Sequence, residues 1–175
     1  MVEIKKIRTY DKDYLYTEEL LIKAFPKEER RDIIDQRQYT DHNPIFYCNC
    51  ITVNNVYIGL ITYWDFTEFI YIEHFATEPL YRNKGYGSQT LQILKEKNKV
   101  PIVLEAEEPT DEISRRRIAF YKRQGFKQEE YPYMQPPYRK DDEWIPMKLL
   151  TYGLESSEDM LNNIKNRIYK NVYGI

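Results

Sequence analysis

Two glycines one residue apart, Gly85 and Gly87, follow Arg82-Asn83-Lys84 and precede Ser88 in a chain that holds only six glycines. A residue without a Cβ lets a ligand approach the main chain, and the free N–H groups that open a helix suit an anion. Arg82 and Lys84 add positive charge beside those donors, and Tyr86 stands between the two glycines. These types in this order suit a strand–loop–helix site for a phosphate or pyrophosphate. Neither common phosphate loop is met: the spacing Gly-x4-Gly-Lys-Ser/Thr is absent, and Thr90 stands where a dinucleotide fingerprint needs its third glycine. Just upstream, strand alternation puts Tyr71, Glu73, Phe75 and Thr77 on one face, and Ile70, Ile72, His74 and Ala76 on the other. A carboxylate between two aromatic rings is partly desolvated, which suits Glu73 to accept a proton, directly or through water. Further on, Glu105 and Glu107 share a face, and Glu105 flanks the same cleft if its strand neighbours that of Glu73. The competing reading is that one or more of these acids pairs with Arg82 or with Arg115, Arg116 and Arg117.

The run Arg82-x-x-Gly85-x-Gly87 directly after a strand ending Phe75-Ala76-Thr77 resembles the acyl-coenzyme A site of the GNAT superfamily of N-acetyltransferases. The downstream segment Ser114-Arg115-Arg116-Arg117-Ile118-Ala119-Phe120-Tyr121-Lys122-Arg123-Gln124-Gly125-Phe126 is similar to the family's helix ending in Tyr-x-x-x-Gly-Phe. The two motifs together cover residues 69–126 in the family's order. The resemblance implies an acetyl-CoA-dependent N-acetyltransferase that transfers directly to a primary amine in a ternary complex. It implies that Arg82, Asn83, Lys84, Gly85, Tyr86, Gly87 and Ser88 hold the coenzyme pyrophosphate through backbone N–H groups. It implies that the main chain of Phe75, Ala76 and Thr77 meets the pantetheine arm and the oxyanion, where the strand splays from its neighbour. It implies that Tyr121 protonates the departing thiolate, and it favours Glu73 over Glu105 as the base. Tyr131, Tyr133 and Tyr138 lie in the loop region that walls the acceptor cleft in this family, and a small-molecule amine or a peptide is the implied acceptor. The alternative is an acyl-CoA-binding sensor or interaction module without turnover, which needs neither Glu73 nor Tyr121.

The elements that must position these groups are legible from periodicity and turn residues. Strands are expected over 2–10, 45–53, 56–65, 69–77, 101–107, 126–129 and 144–150, with Asn54-Asn55 making a hairpin turn. Helices are expected over 11–24, 27–38, 85–97, 111–124 and 156–172, the last carrying the stripe Leu161, Ile164, Ile168, Val172. Arg30, Arg31 and Arg37 alternate with acids in the second helix, which reads as a solvated face. Antiparallel strands first and strand–helix–strand–helix afterwards indicate an α/β fold, an α+β mixed sheet flanked by helices with a parallel pair inside. One domain over 1–153 is expected, with a C-terminal helix, 154–175, packed on it or on a partner in a homodimer.

The chain has 175 residues, a formal charge of −2 and 26 aromatic residues, 17 of them Tyr. That balance disfavours broad binding to nucleic acid or to an anionic membrane, and the longest apolar stretch is too short to span a bilayer. Cys48 and Cys50 lie two apart on one strand, poor geometry for a disulfide, so reduced thiols and a cytoplasmic setting are expected. His42 and His74 have no partner at metal-ligand spacing, so no metal is expected.

Overall fold

The computed structural model describes residues 1–175, with eight strands and five α-helices distributed over two units, residues 1–100 and residues 101–175. This is the α/β class that the order of elements predicts.

In the first unit β1 (Val2–Lys6), β2 (Phe46–Val53), β3 (Val56–Asp65) and β4 (Ile70–Thr77) pair antiparallel in that order. Asn54 and Asn55 both hold positive φ, 50° and 63°, as a two-residue turn between β2 and β3 requires. Helix α1 (Tyr14–Ala24) lays Leu20 and Leu21 on Leu60 of β3, with Phe25 and Ala76 closing the cluster. The charged stretch after Pro26 is not one helix. It makes a single 3-10 turn, Lys27–Glu29, then an extended link through Arg30, and α2 (Ile33–His42) begins only afterwards. Helix α3 (Tyr86–Lys97) packs against β1 and buries Thr90, Leu91 and Leu94.

In the second unit β5 (Ile102–Glu107) is followed by α4 (Glu112–Arg123), which packs on it. Asp111 caps α4 in a reciprocal capping box: its carboxylate accepts from the Ser114 N–H while the Ser114 hydroxyl accepts from the Asp111 N–H. Gly125, at φ 84°, ends the helix and leads into β6 (Lys127–Gln128). Strand β7 (Tyr133–Gln135) lies inside the expected proline- and tyrosine-rich loop and pairs antiparallel with β8 (Ile145–Tyr152), as do β5 and β6. The last helix, α5 (Glu158–Ile168), is capped by Ser157 and buries Leu161, Ile164 and Ile168. It then widens into a π-helical turn, Tyr169–Tyr173, that buries Val172.

Cys48 and Cys50 are free and buried, and burial raises their thiols to about 12 and about 11. No helix of the chain is long and apolar enough to cross a membrane.

Candidate active site

The glycine loop has the features an anion needs. Gly85 sits at the N-cap of α3 in the left-handed region, φ 79°, and Asn83 shares that conformation at φ 61°. No side chain caps the helix and its first turn carries no acid, so the N–H groups of Tyr86, Gly87 and Ser88 face no competing intramolecular anion. Arg82, Asn83, Lys84 and Gly85 are exposed, and Tyr86, Gly87 and Ser88 are half-buried. Arg82 Nε donates to the Thr77 carbonyl at 3.1 Å, tying the loop back to the end of β4. Lys84 Nζ lies 5.3 Å from the Tyr81 ring centroid. An unblocked helix start, two residues in positive φ and two exposed cations fit a coenzyme pyrophosphate.

Strand β4 departs from regular alternation. Thr62 pairs with His74 and Tyr63 with Ile72, so Glu73 has no opposite number and forms a bulge. Side chains opposite each other share a face, so Tyr71 lies with Trp64, and His74 lies with Thr62 on that same face. Phe75, opposite Ile61, lies on the other face, which corrects the expectation that Tyr71, Glu73, Phe75 and Thr77 share one. Phe75, Ala76 and Thr77 pair with Ile61, Leu60 and Gly59 and are half-buried. Gly59 permits a close approach there: a Cβ on it would stand 2.5 Å from the Ala76 carbonyl oxygen.

The Glu73 carboxylate is enclosed, with no exposed side-chain surface, so the accessible part of this half-buried residue is its main chain. Arg31, itself 4% exposed, grips it with both guanidinium nitrogens, Nη2 to Oε1 and Nη1 to Oε2, while Trp64 Nε1–H donates to Oε2 at 2.9 Å. Arg31 also donates to Gln36 Oε1 at 3.0 Å and stands over the Tyr39, Phe46 and Trp64 rings at 4.7, 5.4 and 5.6 Å. The expectation of Arg31 on a solvated helix face is therefore corrected. The residue falls outside α2, in the link before it, and its side chain turns inward. Neither Arg31 nor Trp64 was legible as a partner of Glu73, because no local spacing joins them.

Beside this pair, His74 is buried and satisfied. Its Nδ1 meets Thr62 Oγ1 at 3.1 Å and its Nε2 meets the Glu29 carbonyl at 2.9 Å, a pattern that suits the neutral ring with its proton on Nε2. Burial lowers its pKa from 6.5. No group of three or more His, Cys, Asp or Glu is arranged to hold a metal.

In the second unit Tyr121 lies on the buried side of α4, with ring contacts to Phe120 and Phe126 at 5.2 and 5.6 Å. Burial pushes its phenol up to about 12, the Arg117 guanidinium opposing, so the hydroxyl keeps its proton at neutral pH. Ser114 is occupied in the capping box, Arg117 pairs with Glu107 at 2.6 Å, and Arg116 pairs with Glu112 at 2.5 Å. Glu105 is half-buried on β5 and accepts from two phenols, Tyr133 Oη at Oε1 and Tyr173 Oη at Oε2, the second at 2.9 Å. Tyr131, also in the acceptor-wall segment, donates to Asn162 Oδ1 on α5 at 2.5 Å. Tyr173 was not singled out from the sequence, being one of 17 tyrosines.

These features are those of an acyl-CoA-dependent transferase, and the model of the acetyltransferase (GNAT) family matches residues 9–126. The chain belongs to that family. It is 45% identical to a candidate GNAT-family acetyltransferase from Bacteroides thetaiotaomicron, a solved structure that superposes with a TM-score of 0.94 and is matched over 99% of both chains. It is 29% identical over 119 residues to YjbC, a candidate acetyltransferase of Bacillus subtilis (strain 168). That match covers 65% of this chain and 60% of the length of the curated relative. A GNAT-family acetyltransferase from Elizabethkingia anophelis, solved with acetyl-CoA bound, shares the fold at a TM-score of 0.60 and 20% identity over 87% of this chain and 98% of its own.

Proposed function

We propose that this chain is an N-acetyltransferase that moves an acetyl group from acetyl-CoA to a primary amine by direct transfer in a ternary complex. The single observation that carries the reading is the loop of residues 82–88. It joins an acid-free, uncapped helix start with positive-φ Asn83 and Gly85 and with Arg82 and Lys84, inside the family-matched segment. Bound there, acetyl-CoA supplies the activated acetyl thioester. Arg82, Asn83, Lys84, Gly85, Tyr86, Gly87 and Ser88 bind the pyrophosphate, and the main chain of Phe75, Ala76 and Thr77 binds the pantetheine arm and the developing oxyanion. Tyr121 holds on its hydroxyl the proton that the departing thiolate needs, and its raised pKa of about 12 keeps that proton in place across the physiological range.

The base assigned here is Glu105 rather than Glu73. Every side-chain atom of Glu73 is enclosed, and its oxygens serve Arg31 and Trp64. Glu105 is half-buried rather than enclosed, and the phenols of Tyr133 and Tyr173 hold its two oxygens in place. The enclosure of Glu73 is also the one observation that favours the second reading, an acyl-CoA-binding module without turnover, since a pure binder has no need of a reachable base on β4.

The test is acetyl-CoA consumption against a panel of primary amines, with thermal stabilisation by coenzyme A measured in parallel. At a coenzyme concentration about 100-fold above Kd, stabilisation of about 2.7 kcal/mol corresponds to a rise in Tm of roughly 5–10 °C. Tyr121→Phe is expected to lower turnover about 100-fold or more while leaving coenzyme A affinity within about 2-fold. Stabilisation with no amine consumed selects the binder, and no stabilisation at all removes both readings.

A further inference from the structure

The bulge at Glu73 decides which main-chain groups β4 turns away from β3. In an antiparallel pair, residues that exchange main-chain hydrogen bonds alternate with residues whose N–H and C=O point to the strand's other edge. Upstream of the bulge, Phe66 N–H donates to the Phe69 carbonyl at 3.0 Å, so counting forward by twos Tyr71, opposite Trp64, faces β3. Carried on without interruption, that count would set Glu73, Phe75 and Thr77 against β3 and turn His74 and Ala76 outward. Downstream, Glu78 N–H donates to the Ile58 carbonyl at 2.9 Å, so counting back by twos Ala76, opposite Leu60, and His74, opposite Thr62, face β3. Phe75 and Thr77 are therefore the residues whose main chain points to the other edge, and the Thr77 carbonyl accepts there from Arg82 Nε at 3.1 Å. One extra residue has reversed the count.

A bulge interrupts the ladder and persists where its surroundings over-determine it. Here the link between the 3-10 turn and α2 supplies the hold. Arg31 grips the side chain of the extra residue, Glu73, with both guanidinium nitrogens, Nη1 to Oε2 at 3.1 Å, and Trp64 Nε1–H joins it at 2.9 Å. Two residues before Arg31 in the same link, the Glu29 carbonyl meets Nε2 of the next bulge residue, His74, at 2.9 Å, while His74 N–H donates to Thr62 Oγ1 at 3.2 Å. We propose that Arg31 is a positioning residue for acyl transfer: its grip on Glu73 fixes the bulge and so aims the Phe75 and Thr77 main chain at the thioester end of the coenzyme. This role rests on the N-acetyltransferase reading, and it gives the sealed ion pair a part in the chemistry that needs no proton on Glu73 and no contact between Arg31 and substrate.

The test reads the thioester itself and needs no acceptor. Difference infrared spectra of acetyl-CoA, isotope-labelled at the acetyl carbonyl and bound at saturation to the full chain, report how strongly main-chain N–H groups polarise that carbonyl. In the parent the band is expected below its position in water. The key variant is Arg31→Met/Glu73→Leu, which removes the grip and replaces both charges with apolar atoms, so its Tm is expected within about 4 °C of the parent. Its coenzyme A affinity is expected to fall by no more than about 10-fold, the worth of a main-chain hydrogen bond, because the loop of residues 82–88 is untouched. Its carbonyl band is expected to broaden and to move most of the way back to the solution position, whereas a merely stabilising role of the pair leaves the band unmoved. Should the double variant not fold, Arg31→Lys decides: it keeps the charge, replaces the two-point fork by a single point donor, and is expected to return the band part of the way. A parent band at the solution position overturns the proposal, as does a band in the folded variant as low and as narrow as the parent's. Thermal stabilisation of the parent by coenzyme A reports on the acyltransferase reading by itself. Its presence with unmoved bands sinks only the role of Arg31, and its absence sinks the parent reading.

Discussion

Replacing Arg31 by methionine is the most direct perturbation of the enclosed pair on β4. Methionine fills much of the same space and carries no charge, so the Glu73 carboxylate, which has no exposed surface, loses its guanidinium partner while Trp64 Nε1–H still donates to it at 2.9 Å. Removing one partner of a buried ion pair costs about 3–5 kcal/mol, most of it the desolvation of the charge left behind. Loss of the guanidinium over the rings of Tyr39, Phe46 and Trp64 adds about 1 kcal/mol. Better burial of an apolar side chain returns about as much. The net expectation is a loss of about 4 kcal/mol, a large part of the roughly 5–15 kcal/mol by which a folded domain is stable. In a chain of this size that lowers Tm by roughly 8–16 °C. The decisive comparison is the double variant Arg31→Met/Glu73→Leu, which removes both charges and refills the space with apolar atoms. It is expected to return to within about 1 kcal/mol of the parent. Urea unfolding followed by circular dichroism reads both variants. A single variant that loses less than about 1 kcal/mol, or a double variant as weak as the single, refutes the account of Glu73 as a sealed charge.

Gly59→Ala places a Cβ 2.5 Å from the Ala76 carbonyl oxygen, so the end of β4 must shift. A loss of about 1–3 kcal/mol is expected, with a reduced thermal response to coenzyme A; an unchanged response would mean that the main chain of residues 75–77 does not bind it. His74, buried and lowered from its ordinary 6.5, stays neutral in the fold while the unfolded chain takes up a proton near that value, so the stability it contributes is held above pH 6.5 and lost as pH falls below it. Below pH 6.5 the slope from this residue rises toward a ceiling of about 1.4 kcal/mol per pH unit and ends where the folded ring itself takes up the proton. Urea midpoints across that window should flatten in His74→Gln, and an equal slope in both proteins would remove the residue as the cause.

Local signals located the elements well where the determining physics is itself local. Asn54-Asn55 announces a turn because both positions need positive φ, and they take it. Gly85 marks the start of α3 and Gly125 the end of α4 for the same reason. What escaped depends on pairing. Strand β7 lies between Pro132 and Pro136, has only three residues, and exists because Tyr133, Met134 and Gln135 align with Met147, Pro146 and Ile145 of β8. The terminal π-helical turn is invisible because Leu161, Ile164, Ile168 and Val172 keep a helical spacing whichever way the last turn is wound. Widening that turn is part of what sets Tyr169 and Tyr173 among the rings around Glu105.

The two acids show the same limit at the level of chemistry. Glu73 attracted attention through alternation, yet alternation holds only while the strand is regular, and the bulge falls at that very residue. Its partner Arg31 is 42 positions away, in a charged stretch that by composition belongs to the solvent. Glu105, weaker as a candidate by pattern, is held by phenols 28 and 68 positions away. Once those distant partners are known, the acids divide by what surrounds each carboxylate. A carboxylate sealed by a guanidinium and an indole fixes the backbone of β4, so substitutions at Glu73 register first as lost stability. A half-buried carboxylate held by two phenols of distant segments leaves the backbone of β5 less dependent on it, so substitutions at Glu105 are expected to register first as lost turnover, with the fold intact. The ordering of those two effects in matched variants therefore identifies which acid serves the chemistry, whichever amine the enzyme takes.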